Sequence, residues 1–161
     1  MNRVGDTLLH LAANEEIVRA FNQYDVDFIL IGGLAISWHC TQRKADDMDL
    51  LVNPSEENSM RIARALTNIG LNGFRDNSFV TLGLQAPLKQ KHYAEILTPR
   101  KGGLSYSEVA SDAVAGKLFG MPIKLASISS LLKMKQEAVA SVSEQLQKHQ
   151  ADIVLLRNND I

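Results

Sequence analysis

The sequence predicts an α+β protein with an α/β-type core and a short helical C-terminal part. Three observations carry that expectation. Short apolar runs rich in β-forming residues occur in the first two thirds of the chain, beginning with Phe28-Ile29-Leu30-Ile31. Segments with apolar residues three and four apart precede and separate them. Two such helical segments follow one another near the end, over about 127–158. Strands early and helices late is an α+β arrangement. No Pro/Gly/Ser-rich stretch divides the 161 residues, so 1–161 reads as one domain with a core over about 15–100.

The first two dozen residues read as helical, with Leu8, Leu9, Leu11 and Ala12, then Ile17, Val18 and Phe21, on the helical period. Asn14 is a candidate break between two pieces. Residues 27–31 read as a buried strand, ended by Gly32-Gly33, and one or two helical turns follow over 34–40. Residues 47–52 alternate carboxylate and apolar side chains, a strand pattern with Asp47 and Asp49 on one face. Pro54 and Ser55 then start a helix, with Glu56 and Glu57 in its first turn and Gly70 as its terminator. Residues 79–84 and 92–97 read as two strands joined by a turn at Gln85-Ala86-Pro87-Leu88. Residues 101–120 are ambiguous, with a loop at Gly102-Gly103. A short strand runs from Gly120-Met121-Pro122 to Leu125. Ser127 caps a helix carrying Leu131, Leu132 and Met134, and a last helix spans about 143–157.

Composition excludes several classes. Seventeen Lys+Arg against 18 Asp+Glu leave a net charge of −1, without the basic surplus of a general nucleic-acid binder. A single cysteine, Cys40, allows no internal disulfide and no Cys-based zinc site. The longest nearly continuous apolar run, 28–36, is too short to cross a bilayer, and Asn14, Glu15 and Glu16 stand where a signal peptide keeps its apolar core. The expectation is a soluble, cytoplasmic protein that does not engage membranes. No dinucleotide fingerprint, Walker lysine loop, His-Glu-x-x-His or Gly-x-Ser-x-Gly occurs.

Three local features carry chemistry. Gly32-Gly33 at a strand-to-helix junction lets the backbone turn sharply and presents helix-start N–H groups, which suit a phosphate; a plain tight turn is the simpler use of the same residues. Asp47-Met48-Asp49 concentrates two carboxylates side by side. Such a pair repels unless solvated or neutralised by a hard divalent cation such as Mg²⁺. Glu95 interrupts an apolar strand, either to keep a sheet edge soluble or to add a third carboxylate. Arg43 and Lys44 precede the acid strand and can pair with phosphate or with Asp46. His39 reads as packed or exposed, His92 as facing away from Glu95, and Cys40 as a small buried apolar residue.

The order of these features is more specific than its parts. An apolar strand, Gly-Gly, thirteen residues, Asp-x-Asp among apolar neighbours, then a later strand with one acid resembles the nucleotidyltransferase superfamily of the DNA polymerase β type. Residues 28–35 and 43–52 carry the resemblance, and the second block looks like the Arg-x-Thr-x-Asp-x-Asp pattern of small bacterial members. Those include antibiotic (aminoglycoside and lincosamide) and toxin–antitoxin nucleotidyltransferases. The likeness extends over about 15–157. Ala45 replaces the usual Thr, Glu95 the more common Asp, and His149-Gln150 a frequent Lys-Asp pair.

The resemblance implies a mixed twisted sheet flanked by helices. It implies two Mg²⁺ ions held by Asp47, Asp49 and Glu95, and a nucleoside triphosphate contacted by Gly32, Gly33, Arg43 and Lys135. The implied reaction transfers a nucleoside monophosphate to an acceptor hydroxyl, with pyrophosphate released and Glu95 placed to take the acceptor proton. The acceptor is a small molecule, an RNA or a protein. The chain leaves little length for an acceptor domain, so the acceptor surface falls to the loop over 101–120, the C-terminal helices, or the second subunit of a homodimer. The alternative is a non-catalytic module of the same fold, serving as a binding or antitoxin-like partner.

Overall fold

A computed structural model describes residues 11–40, 47–88, 94–140 and 146–159. Helix α1 (Leu11–Gln23) leads to strand β1 (Phe28–Ile31), helix α2 (Gly32–His39) and strand β2 (Met48–Val52). Helix α3 (Glu56–Asn68) follows, then strands β3 (Gln85–Pro87) and β4 (Ala94–Leu97) and the short helix α4 (Tyr106–Ser111). Strands β5 (Val114–Leu118) and β6 (Met121–Leu125) and helices α5 (Ile128–Ala140) and α6 (Leu146–Asn159) complete the described chain. The strands form one mixed sheet in the order β3-β4-β2-β1-β6-β5. β1 pairs antiparallel with β2 and parallel with β6, while β2 pairs parallel with β4. This is the expected α+β class, with a mixed sheet and two successive helices, α5 and α6, after the last strand.

The central strands are apolar because both of their faces are covered. Ile29, Leu30, Leu50, Val52 and Ile96 are fully or almost fully buried. Phe21 of α1 meets Phe28 of β1 edge-on, with ring centroids 5.3 Å apart. Helix α1 packs on α3, and α5 on α6, with α2 touching β1, β2, α5 and α6. α1 runs unbroken through Asn14, which is buried.

Local chemistry sets the element boundaries. Ser55 Oγ accepts from Asn58 N at 3.2 Å and caps α3, with Glu56 and Glu57 in the first turn where the helix dipole favours them. Gly70 lies just beyond α3 at φ +84°. The ambiguous stretch after Lys101 resolves into α4 and β5. Ser105 and Glu108 form a reciprocal capping box at α4. Phe119 and Gly120, at φ +54° and +77°, turn β5 into β6 as a two-residue hairpin, whose geometry needs positive φ at both positions.

One expected pair of elements is shifted. Residues 79–84 are not a strand; the strand falls at Gln85–Pro87, where a turn was expected. Side chains take the place of ladder partners in the earlier stretch. Ser59 Oγ accepts from Phe79 N at 2.9 Å, and Thr98 Oγ1 accepts from Leu84 N and donates to Thr81 O. Pro87 is tolerated because β3 is an edge strand, antiparallel to β4. No described helix is long and apolar enough to cross a membrane.

Candidate active site

The sheet register brings the sequence-predicted acids into one row. Asp49 on β2 is the register partner of Glu95 on β4 and, on its other side, of Ile31 on β1. Partners on adjacent strands project to the same face, so Ile31, Asp49 and Glu95 stand in line across three strands. Asp49 and Glu95 are half-buried. Asp47 precedes β2 by one residue, two before Asp49, and is also half-buried.

At the β1 end of that row the chain breaks into α2. Gly32 adopts φ +71°, a conformation that suits glycine. A Cβ built there would collide with Asp49 Oδ2 and stand 3.0 Å from Asp49 Cγ and 3.1 Å from its Cβ. The glycine therefore serves two ends, the turn and the room for the carboxylate. The N-cap of α2 is Ile31, extended at φ −128°, ψ −173°, and it supplies no side-chain cap bond. The first amides of α2 thus emerge beside Asp49 at the positive end of a helix.

Among the described residues, no group of three His, Cys, Asp or Glu side chains is gathered so as to hold a metal ion. The donor chemistry is nevertheless of the right type. Asp49 and Glu95 are neighbouring carboxylates with Asp47 two residues away on the same chain segment, and hard divalent cations take such oxygen ligands.

A cavity of about 680 Å³ opens on the same face of the sheet. Leu51 lies two residues beyond Asp49, and its register partner Leu97 two beyond Glu95; both line the cavity, as does Ile31. Loop residues Leu82, Arg100, Lys101 and Leu104 form one wall, and Met134 and Glu137 of α5 another. Most of these residues carry no motif; they meet only through the register, which a single sequence does not state. The alternation from Asp49 to Leu51 and from Glu95 to Leu97 is the signal that points to the floor.

Lys135 lies between the terminal helices. Its Nζ is 3.0 Å from Asp152 Oδ2 on α6, with the two side chains 12% and 2% exposed. The resemblance implies a nucleotide contact for Lys135; no local motif marks Asp152 as its charge partner. Cys40 is buried nearby, and its thiol is pushed up by burial and by the Asp152 charge. His39 Nε2 donates to Ala126 O at 2.9 Å, and its ring sits edge-on to Trp38, so it is a packed histidine. Arg43, Lys44, Asp46 and His92 lie outside the described residues.

The six-stranded mixed sheet with its flanking helices has the fold of solved nucleotidyltransferase structures. Solved structures match it over most of its length. An antigenic nucleotidyltransferase-like protein from Paracoccidioides brasiliensis aligns with a TM-score of 0.58 at 13% identity, covering 92% of this chain and 76% of that one. The crystal structure of ANT(2″)-Ia in complex with adenylyl-2″-tobramycin aligns with a TM-score of 0.57 at 15% identity, covering 90% and 86%. The solution structure of the antibiotic-resistance factor ANT(2″)-Ia aligns with a TM-score of 0.60 at 15% identity, covering 91% and 82%. No family model matches the chain, and no curated protein matches it in sequence. At these identities the likeness is one of fold.

Proposed function

We propose that this chain is a Mg²⁺-dependent nucleotidyltransferase that moves a nucleoside monophosphate from a nucleoside triphosphate to an acceptor hydroxyl, with release of pyrophosphate. The observation that carries the reading is the row Ile31–Asp49–Glu95, with Gly32 packed against the Asp49 carboxylate. Asp47, Asp49 and Glu95 would hold the cation. Bound there, a divalent cation supplies positive charge that stabilises phosphate oxygens and favours the deprotonated acceptor.

The remaining work falls to the chain itself. Backbone N–H groups at Gly32 and Gly33, at the start of α2, bind phosphate oxygens of the triphosphate. The acceptor oxygen attacks the α-phosphorus and the bond to the pyrophosphate oxygen breaks. Glu95 takes the acceptor proton on its carboxylate. Lys135, whose Nζ lies 3.0 Å from Asp152 Oδ2 on α6, is a nucleotide contact in this reading. Arg43 is a further phosphate contact in this reading, and a second copy of the chain completing the cleft is tested by sedimentation equilibrium.

The reading is tested with nucleoside triphosphates labelled at the α-phosphorus, incubated with hydroxyl compounds and RNA. Label should pass to an acceptor with wild-type protein and fail to pass with Asp49→Asn. If the wild type binds nucleotide yet labels no acceptor, the non-catalytic module becomes the better account.

A further inference from the structure

We infer that the β5 edge of the sheet is a self-pairing surface, on which a second copy of this chain adds its own β5, antiparallel, about a two-fold axis at Gly116. The sheet ends in β3 on one side and β5 on the other. β3 is three residues long and contains Pro87, features that blunt an edge. β5 is five residues long, Val-Ala-Gly-Lys-Leu, carries no proline, and among the described residues pairs with β6 alone. The hairpin register states which of its backbone groups are already used. Leu118 and Met121 flank the two-residue turn, and in such a hairpin the flanking pair exchanges both N–H···O bonds. Bonded and non-bonded pairs then alternate. Gly116–Ile123 and Val114–Leu125 are bonded, while Lys117–Pro122 and Ala115–Lys124 are not. Pro122, which has no N–H, stands where β5 requires none. The N–H and C=O groups of Ala115 and Lys117 therefore point to the open edge, and both residues are exposed.

The same row of groups selects its occupant. With the axis at Gly116, Ala115 of each copy faces the partner's Lys117, and both residue pairs exchange their two bonds, so every outward group of these residues is satisfied. An axis at Lys117 would set that lysine against its own counterpart, a destabilising like-charge pair. An axis at Ala115 would set Lys117 against the partner's Ala113, and the Ala113 N–H is already donated to Ala110 O at 3.3 Å. The side chains agree with the axis at Gly116. On the exposed face the stem of Lys117 crosses the partner's Ala115. On the other face the half-buried Val114 comes opposite the partner's Leu118, which extends the apolar surface of the sheet. Gly116 itself has no side chain at the axis, and its inner side is filled by its own chain: a Cβ there would stand 2.8 Å from Leu125 Cδ2 and 3.5 Å from Trp38 Nε1. A net charge of −1 leaves little repulsion between copies. β1 and β6 separate β5 from the acid strands β2 and β4. This pairing is therefore distinct from a second copy that completes the cleft, and it does not depend on the transfer reading.

The test is sedimentation equilibrium of the full chain from about 1 to 100 μM, together with amide hydrogen exchange read residue by residue by NMR over the same range. A reversible monomer–dimer equilibrium is expected, with the Ala115 and Lys117 amides slowing as the dimer fills. Ala115→Pro and Lys117→Pro each remove an outward N–H that β6 does not use, and each should weaken the dimer about tenfold or more. Lys117→Thr keeps the backbone groups and should leave the dimer in place. If the proline variants fail to fold, the exchange of the wild-type amides decides alone. A chain that stays monomeric over the whole range overturns the inference. So does a dimer formed by folded Ala115→Pro and Lys117→Pro as tightly as by wild type, or one that forms without protecting these two amides.

Discussion

Gly32 and Asp49 lie against each other, so that the place a Cβ would occupy on the glycine is filled by the aspartate carboxylate. The contact ties the glycine turn after β1 to the acid strand. Gly32→Ala introduces a side chain at φ +71° as well as the collision. The expected cost is about 1–3 kcal/mol from backbone strain alone, or a fall of several degrees in Tm for a chain of this size. Nucleotide affinity should fall with it. A thermal melt and a nucleotide titration on the same sample check both.

Lys135 and Asp152 join α5 to α6 through a nearly solvent-free ion pair. Lys135→Met leaves the Asp152 carboxylate buried without that cation and should cost about 3–5 kcal/mol in urea denaturation. Replacing both, as Lys135→Met with Asp152→Leu, should recover most of the loss. A double variant as unstable as the sum of the singles would show that the two residues act independently.

Tyr106 fastens α4 to the start of β1. Its hydroxyl donates to Asp27 Oδ1 at 2.8 Å, while Asn53 Nδ2 donates to Asp27 Oδ2 at 3.0 Å. Tyr106→Phe should lower stability by about 1.5–3 kcal/mol, the range for a hydrogen bond to a charged group. Burial, and then the Asp27 bond and charge, push the Tyr106 hydroxyl well above the ordinary phenol value. A raised folded-state pKa gives stability that is complete below the ordinary value and is lost as pH rises past it. Chemical denaturation at rising alkaline pH should show this loss in the wild type and not in Tyr106→Phe.

Glu108 shows the opposite sign. The Ser105 backbone N–H donates to Glu108 Oε1 at 3.0 Å and, with the Ser105 side chain, holds this exposed carboxyl below the ordinary glutamate value. A lowered folded-state pKa gives stability that is present above the ordinary value and is lost as pH falls through the lowered one. Glu108→Gln should therefore flatten part of the acid side of the stability–pH curve. Identical acid limbs for the two proteins would remove the capping box as a contributor.

Much of this architecture is legible in the residues. The strand 28–31, the Ser55-capped helix and the Ser127 helix start rest on local chemistry, and local chemistry decides them. The interval 79–88 misleads because Ser59 and Thr98, distant in sequence, supply its hydrogen bonds and free the strand to form later. Asn14 looks like a break but is carried inside α1 by burial. In the site, Gly32, Asp49 and Glu95 announce themselves by type and spacing, and the register then aligns the last two. The Lys135–Asp152 pair and the cavity walls depend on how α5 and α6 fold back over the sheet. A single sequence holds no local sign of that, since Arg100, Glu137 and Met134 are ordinary residues until a loop and a helix meet.

The most direct test of the central claim is calorimetric titration of the full chain with ATP, CTP, GTP and UTP, with and without Mg²⁺, in wild type, Asp49→Asn and Glu95→Gln. The account predicts that at least one nucleotide binds the wild type in a Mg²⁺-dependent manner. Asp49→Asn should weaken that binding about tenfold or more, roughly 1.4 kcal/mol, while thermal melts of the variants stay cooperative. Nucleotide binding that is indifferent to Mg²⁺ and to both substitutions, or no binding by any of the four, would contradict it.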